Sequence, residues 1–154
     1  MSENLPTVLV PAGLPLLEAA AWIGESSRLE LDLHVRLTRV MRHAGPARSP
    51  LLWEVRAHRA EVSEAWHRRL PELREMPRDR FMGADTAFGR AGGGDSDVDP
   101  ADDLTWLVDA LEALVARYRS HLAVAVGPAD GPTADTLGTA IGRAEGDIAA
   151  LRAA

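Results

Sequence analysis

Apolar side chains recur every three or four residues in four segments of this chain, a spacing typical of helices with one buried face. No stretch alternates apolar and polar residues for long enough to indicate a strand. Gly–Pro clusters at 44–46 and 127–132, and prolines at 71 and 77, separate the segments. The pattern predicts helices over about 16–43, from 49 to 69 or 73, 100–126 and 133–152. The expected fold class is therefore all-α, with an antiparallel four-helix bundle as its architecture.

The 154 residues suffice for one domain with a substantial core. We expect residues 1–13 to form an extended lead-in. Residues 77–99 contain a run of glycines and several aspartates, and we expect them to form a long flexible loop between the second and third helices. The prediction is a single helical domain over 1–154.

The composition excludes several classes of function. Seventeen basic and 23 acidic side chains give a formal net charge of −6, which argues against nucleic acid or a membrane surface as the partner. The chain contains no cysteine, which excludes disulfides and thiolate metal sites, and no lysine, which excludes Schiff-base chemistry. The sequence shows neither a cationic, apolar leader nor an apolar run long enough to span a membrane, so we expect a cytoplasmic protein.

Helical wheels identify the ionisable side chains that face the apolar stripes. Glu30 falls within the stripe of the first helix, and His58 faces inward on the second. Tyr118 is central in the third helix, with His121 on its shoulder, and Glu145 lies at the margin of the stripe in the fourth. These five residues are the expected interior polar set. A buried carboxylate is costly unless it is paired or bound to a metal.

Three interpretations of this set are open. Carboxylate and imidazole groups from different helices can build a metal site in a bundle core. Alternatively, a hydrogen-bonded Glu–His–Tyr–Arg network, with Arg59 pairing Glu30, fixes the register of the helices. The third interpretation is a small-molecule pocket that uses the same groups without metal, with Glu30 or His58 as a general acid or base.

Three parts of the chain carry a resemblance to a known group of proteins: residues 58–71, 118–122 and 127–133. Together with the order of the helices, they resemble short ferritin-like proteins of GC-rich bacteria, a group without an assigned reaction. The resemblance implies a ferritin-like bundle. Ferritin-like di-iron enzymes take a Glu from each of two helices and a Glu-x-x-His from each of the other two. Here His121 and Ile148 occupy two positions where that set expects Glu and His.

The first hypothesis is therefore a metal-dependent oxidoreductase or oxygenase-type enzyme that acts on a small molecule, with iron or manganese as the metal. Its ligands would be Glu30, His58, His121 and Glu145, with Glu61 as a fifth. Glu30, His58 and Tyr118 would be its catalytic residues. The alternatives are a metal-free small-molecule-binding protein, a cofactor-free tailoring enzyme and a structural bundle.

Two further patterns have specific interpretations. Glu64 and His67 form the only Glu-x-x-His of the chain, but both point away from the apolar stripe, so we do not expect them to bind metal. Gly138, Gly142 and Gly146 recur every four residues on the outer face of the fourth helix. Such a row lets another backbone approach closely, and it predicts a homodimer through this face.

Overall fold

Four long helices make up most of the part of the chain that the structure describes. The structure is a computed structural model, and it describes residues 12–74, 76–82 and 103–154. The helices are α1 (Leu16–Val40), α2 (Ser49–Arg69), α3 (Thr105–Val124) and α4 (Gly131–Ala153). The all-α fold class and the number of helices are confirmed. No helix within these ranges is long and apolar enough to cross a membrane.

Local chemistry explains where the helices begin and end. A short 3₁₀ turn, Met41–His43, continues α1, and Gly45 and Pro46 follow it. Pro50 occupies the first turn of α2, where its missing N–H needs no partner. Before α4 the buried Asp130 accepts a hydrogen bond from the backbone N–H of Gly127 at 2.8 Å, which closes the turn between α3 and α4.

The helices pack in two pairs, α1 with α2 and α3 with α4, and the pairs meet mainly where α2 contacts α4. Short connections join the members of each pair, so they run antiparallel. Two apolar clusters form the core, and Leu37, Leu52 and Leu107 belong to one while Trp66, Tyr118 and Leu137 belong to the other. On α1 and α2 a buried charged layer lies between these clusters, at Glu30 and Arg59.

The segment after α2 differs from the prediction. Arg78–Met82, the start of the predicted flexible loop, forms a 3₁₀ helix that packs on α1. The rest of that loop, from residue 83 onward, lies outside the described residues, as do residues 1–11 of the predicted lead-in. Gly24 allows the close contact, because a Cβ at this position would overlap the carbonyl group of Phe81.

Replacing Gly24 by alanine should therefore destabilise the protein, although alanine favours a helix over glycine. We expect a loss of about 1–3 kcal/mol in the free energy of unfolding, because the 3₁₀ segment must move away from α1. Urea denaturation followed by circular dichroism measures this change. The matched control is Gly138→Ala, where a Cβ meets open space and about 0.5–1 kcal/mol of stabilisation is expected. Equal effects of the two substitutions would contradict the packing described at Gly24.

The row of glycines on α4 is exposed. A Cβ at Gly138, Gly142 or Gly146 would have no neighbour within 4 Å among the described residues. Within the described part of the chain, the row therefore serves no close contact. The homodimer through this face stays a prediction.

Candidate functional site

A buried ion network links three of the four helices. Arg59 on α2 is fully buried and donates to both carboxylate oxygens of Glu30 on α1, each at 3.1 Å. Its other terminal nitrogen donates to the carboxylate of Asp147 on α4 at 2.8 Å. We call Glu30, Arg59 and Asp147 the charged core. One cation thus serves two buried carboxylates, which leaves an excess negative charge in a region that excludes water.

Neutral groups complete the network on both sides. The hydroxyl of Tyr118 on α3 donates to Glu30 at 2.6 Å and accepts from the indole N–H of Trp66 at 3.2 Å. On the other side the Nδ1 atom of His58 lies 2.7 Å from the Asp147 carboxylate, and its Nε2 atom lies 3.0 Å from the Arg143 guanidinium. A neutral imidazole with its proton on Nδ1 satisfies both contacts. The predicted pairing of Arg59 with Glu30 is therefore confirmed, and Tyr118 contacts Glu30 as well, whereas His58 joins the network only through Asp147.

Burial dominates the electrostatics of this network. It raises the pKa of Glu30 to about 7, against the lowering effects of Arg59 and Tyr118. The nearby Asp147 carboxylate, which shares the Arg59 cation with Glu30, also raises the pKa of Glu30, because it disfavours a second negative charge. Burial and the carboxylate of Glu30 raise the pKa of Tyr118 as well, so its hydroxyl stays protonated and acts as a donor. The charged core therefore binds a proton near neutral pH.

The other predicted site residues lie apart from the charged core. Glu145 does not face the interior, so that prediction is wrong, and it pairs with Arg119 on the surface at 2.6 Å. Glu61 is exposed and lies 3.4 Å from Arg143. Glu64 is exposed too, pairing with Arg68 one turn later. The prediction that Glu64 points away from the core is thus confirmed.

The described residues do not fit an iron or manganese centre. Within 12–74, 76–82 and 103–154 no three His, Asp or Glu side chains come together in a way that could hold a metal ion. Both oxygens of Glu30 already accept from Arg59, and Tyr118 contacts one of them as well. Both ring nitrogens of His58 are also engaged. A ligand set for metal would need these contacts to break.

A second buried site surrounds His121 on α3. Its imidazole is fully buried and stacks on the indole of Trp22, with ring centres 5.0 Å apart and planes inclined by 20°. The indole of Trp66 also stacks against it, with ring centres 6.1 Å apart. Neither ring nitrogen has a hydrogen-bond partner among the described residues. Burial and the nearby Arg117 lower the pKa of His121 to about 4, so the ring is neutral at neutral pH.

An apolar groove lies beside this stack, between α1 and α3. Unlike the helices within each pair, α1 and α3 do not pack closely along their length. Their gap encloses about 250 Å³. The residues that line this α1–α3 groove are Leu29, Asp32, Leu33, Arg36, Ala110, Ala113, Leu114 and Arg117. An arginine–tryptophan contact bounds each end, Arg36 over Trp106 at 4.4 Å and Arg117 over Trp22 at 4.6 Å.

Two residues of these sites were missed by the sequence analysis. Asp147 is buried and is the inward carboxylate of α4, although the wheel had favoured Glu145. Trp22 was placed in the apolar stripe without its role as the stacking partner of His121. The spacing of Asp147 from Ala144 and Leu151, three and four residues, is the signal that could have placed it inward.

Comparisons with protein-family models, with curated proteins and with solved structures find no match to this chain. The geometry therefore defines only the class of the protein, an all-α protein of four helices packed in pairs. The resemblance to ferritin-like bundles stays a prediction.

Proposed function

We propose that this protein binds a small, mainly apolar molecule in the α1–α3 groove, without a metal ion. The observation that carries the proposal is the groove itself, an apolar recess at the place where the two helical pairs do not close on each other. Aliphatic side chains and two alanines form most of its lining. Burying such a surface against an apolar ligand is favourable by about 25 cal/mol per Å².

The alanines make room for the ligand. Ala110 and Ala113 on α3 stand where larger side chains would fill the gap to α1. The Arg–Trp contacts at both ends limit the length of the recess and keep it from closing. A ligand here would contact both helical pairs and so stabilise the folded protein.

A second groove, on the outer side of α3 and α4, is larger at about 450 Å³ but suits a ligand less well. Two ion pairs line it, Arg119 with Glu145 and Arg152 with Glu112. An apolar molecule in this groove would take charged groups out of water without replacing their solvation. The comparison of the two grooves gives the experiment a matched control.

Filling the α1–α3 groove should abolish ligand binding. The test substitution is Ala113→Phe, and the probe is the uncharged fluorescent dye N-phenyl-1-naphthylamine. We expect the dye to bind the wild-type protein and to bind the variant at least about tenfold more weakly, a change of about 1.4 kcal/mol. The matched control is Ala116→Phe, which fills the outer groove instead. Ala113 and Ala116 are both exposed positions on α3.

Three outcomes decide the proposal. Weakening by Ala113→Phe alone supports it. Weakening by Ala116→Phe alone places the dye in the outer groove and contradicts it, as does absence of dye binding to the wild-type protein. The alternative function, a ferritin-like metal-dependent oxidoreductase, has its own readout. Near-stoichiometric iron or manganese in protein purified without a His tag, lost in a Glu30→Ala/His58→Ala variant, would favour that alternative over metal-free binding.

A further inference from the structure

The imidazole of His121 is a buried polar group whose hydrogen-bonding capacity is unused. Its exposed fraction is 0%, and neither Nδ1 nor Nε2 has a partner among the described residues. Leaving a buried donor or acceptor unpaired is costly, and most buried polar groups in proteins are therefore paired. In the charged core, by contrast, both oxygens of Glu30 and both terminal nitrogens of Arg59 have partners. His121 thus differs from its neighbours in lacking a partner.

Stacking leaves one direction open for such a partner. The indoles of Trp22 and Trp66 contact the imidazole in near-parallel arrangements, whereas hydrogen bonds to the nitrogens lie in the plane of the ring. A partner must therefore approach along the ring edge.

The stack adjoins one end of the α1–α3 groove. Arg117 lines the groove, and its guanidinium lies over the ring of Trp22, which in turn stacks on His121. Leu114, which also lines the groove, belongs to the same apolar cluster as Trp66. Residues 114, 117 and 121 follow one another at intervals of three and four on α3, so they share one side of the helix. Trp22 is only half-buried and lies between the guanidinium of Arg117, which lines the groove, and the imidazole of His121.

We infer that His121 binds the polar head of a small amphiphilic molecule whose apolar body occupies the α1–α3 groove. This inference rests on the function proposed above and specifies its ligand class. Trp22 must turn aside for the head to reach the ring edge. The neutral imidazole offers one N–H donor and one acceptor nitrogen, and a hydroxyl group can pair with either.

Charge balance favours a neutral head over an ionic one. Arg117, the cation nearest the groove end, is already paired with Glu25 at 2.7 Å. Asp32, the carboxylate of the groove, is paired with Arg28 at 2.7 Å. An anionic head would add an unbalanced charge beside a neutral imidazole in a region sheltered from water. The ligand class is therefore an uncharged aliphatic molecule with a hydroxyl or similar head.

The test compares two probes of equal chain length on two proteins. 1-Octanol carries a hydroxyl head, and 1-chlorooctane carries no comparable hydrogen-bonding group. His121→Phe keeps an aromatic ring for the stack and removes both nitrogens. We expect the substitution to weaken 1-octanol binding about fivefold to tenfold and to leave 1-chlorooctane binding unchanged. In the wild-type protein, 1-octanol should also shift the ¹⁵N resonances of the His121 ring.

A structural role for His121 would change the binding of both probes alike. Equal 1-octanol affinity for the wild type and His121→Phe, with loss of binding in Ala113→Phe, would overturn this inference while leaving the groove as the binding site. If 1-octanol affinity is the same in Ala113→Phe as in the wild type, the proposed function itself fails. Tighter binding of octanoate than of 1-octanol would overturn the assignment of a neutral head.

Discussion

Replacing Arg59 by leucine is expected to lower the free energy of unfolding by about 3–5 kcal/mol at pH 8. Among the described residues Arg59 is the only cation that contacts Glu30, and it bridges Glu30 to Asp147. Without it, two carboxylates are buried with no cation between them, and Glu30 also loses the neighbour that most lowers its pKa. Urea denaturation followed by circular dichroism gives the measurement. A loss smaller than about 1 kcal/mol would mean that the charged core is far more hydrated than its burial indicates.

Two control variants separate charge from volume. Arg143→Leu removes an exposed arginine that contacts the outer end of the same network, and its effect should stay within about 0.5 kcal/mol. The triple variant Glu30→Leu, Arg59→Leu, Asp147→Leu removes all three buried charges together. We expect it to recover most of the stability lost in Arg59→Leu, because apolar groups of similar size need no partners. Failure to recover would show that the network contributes through its shape and not its charge balance.

The second large effect is on the pH dependence of stability, where Glu30 and His121 act in opposite directions. Folding raises the pKa of Glu30 from 4.5 to about 7, so its contribution is complete below pH 4.5 and is lost as the pH rises through 7. Folding lowers the pKa of His121 from 6.5 to about 4, so its contribution is complete above pH 6.5 and is lost as the pH falls through 4. Between pH 4.5 and 6.5 the two slopes, each about 1.4 kcal/mol per pH unit, oppose each other.

Single substitutions should expose each slope. As the pH rises from 4.5 to 6.5, the free energy of unfolding of Glu30→Gln should increase by about 3 kcal/mol relative to that of the wild type, because only the His121 slope remains. His121→Phe should lose a similar amount relative to wild type over the same interval. Urea denaturation at pH 4.5, 5.5 and 6.5 supplies the three points. Parallel curves for the two variants and the wild type would contradict both pKa directions.

The titration of Glu30 in the charged core bears on the proposed binding site. A proton released from Glu30 changes the hydrogen bond to Tyr118, which belongs to the apolar cluster that also contains Trp66. Trp66 in turn stacks against His121. The charged core and the proposed binding site are therefore in physical contact through two aromatic side chains. Substitutions in the charged core are tests of stability first, and their effects on binding need to be compared at equal folded fraction.

Much of the fold could be predicted from local pattern. The start of α1 at Leu16 and of α2 at Ser49 follow from where the apolar period begins and from the proline at 50. The pairing of Arg59 with Glu30 was also predictable, because both lie within apolar stripes and a buried carboxylate needs a cation. At the end of α3 the wheel placed His121 only on the shoulder of the stripe, yet His121 is fully buried.

The choice between neighbouring residues required the tertiary structure. Glu145 and Asp147 lie on opposite margins of the α4 stripe, and a modest rotation of the helix decides which one enters the core. That rotation is set by the contact of α4 with α2, where Arg59 and His58 form hydrogen bonds with the carboxylate of Asp147. The burial of His121 likewise depends on tryptophans from α1 and α2, which a single-helix pattern does not contain.

The sequence by itself determined the four helices, their approximate limits and most of the side chains that enter the core, because the 3.6-residue period and the Gly–Pro breaks act within one segment. Only the tertiary structure decided the rotation of each helix, the closing of Arg78–Met82 onto Gly24 and the gap between α1 and α3. These features depend on contacts between residues far apart in the chain. The spacing of apolar residues within one helix contains no information about such contacts. The proposed binding site belongs to this second group, since it lies between α1 and α3, which come from different helical pairs.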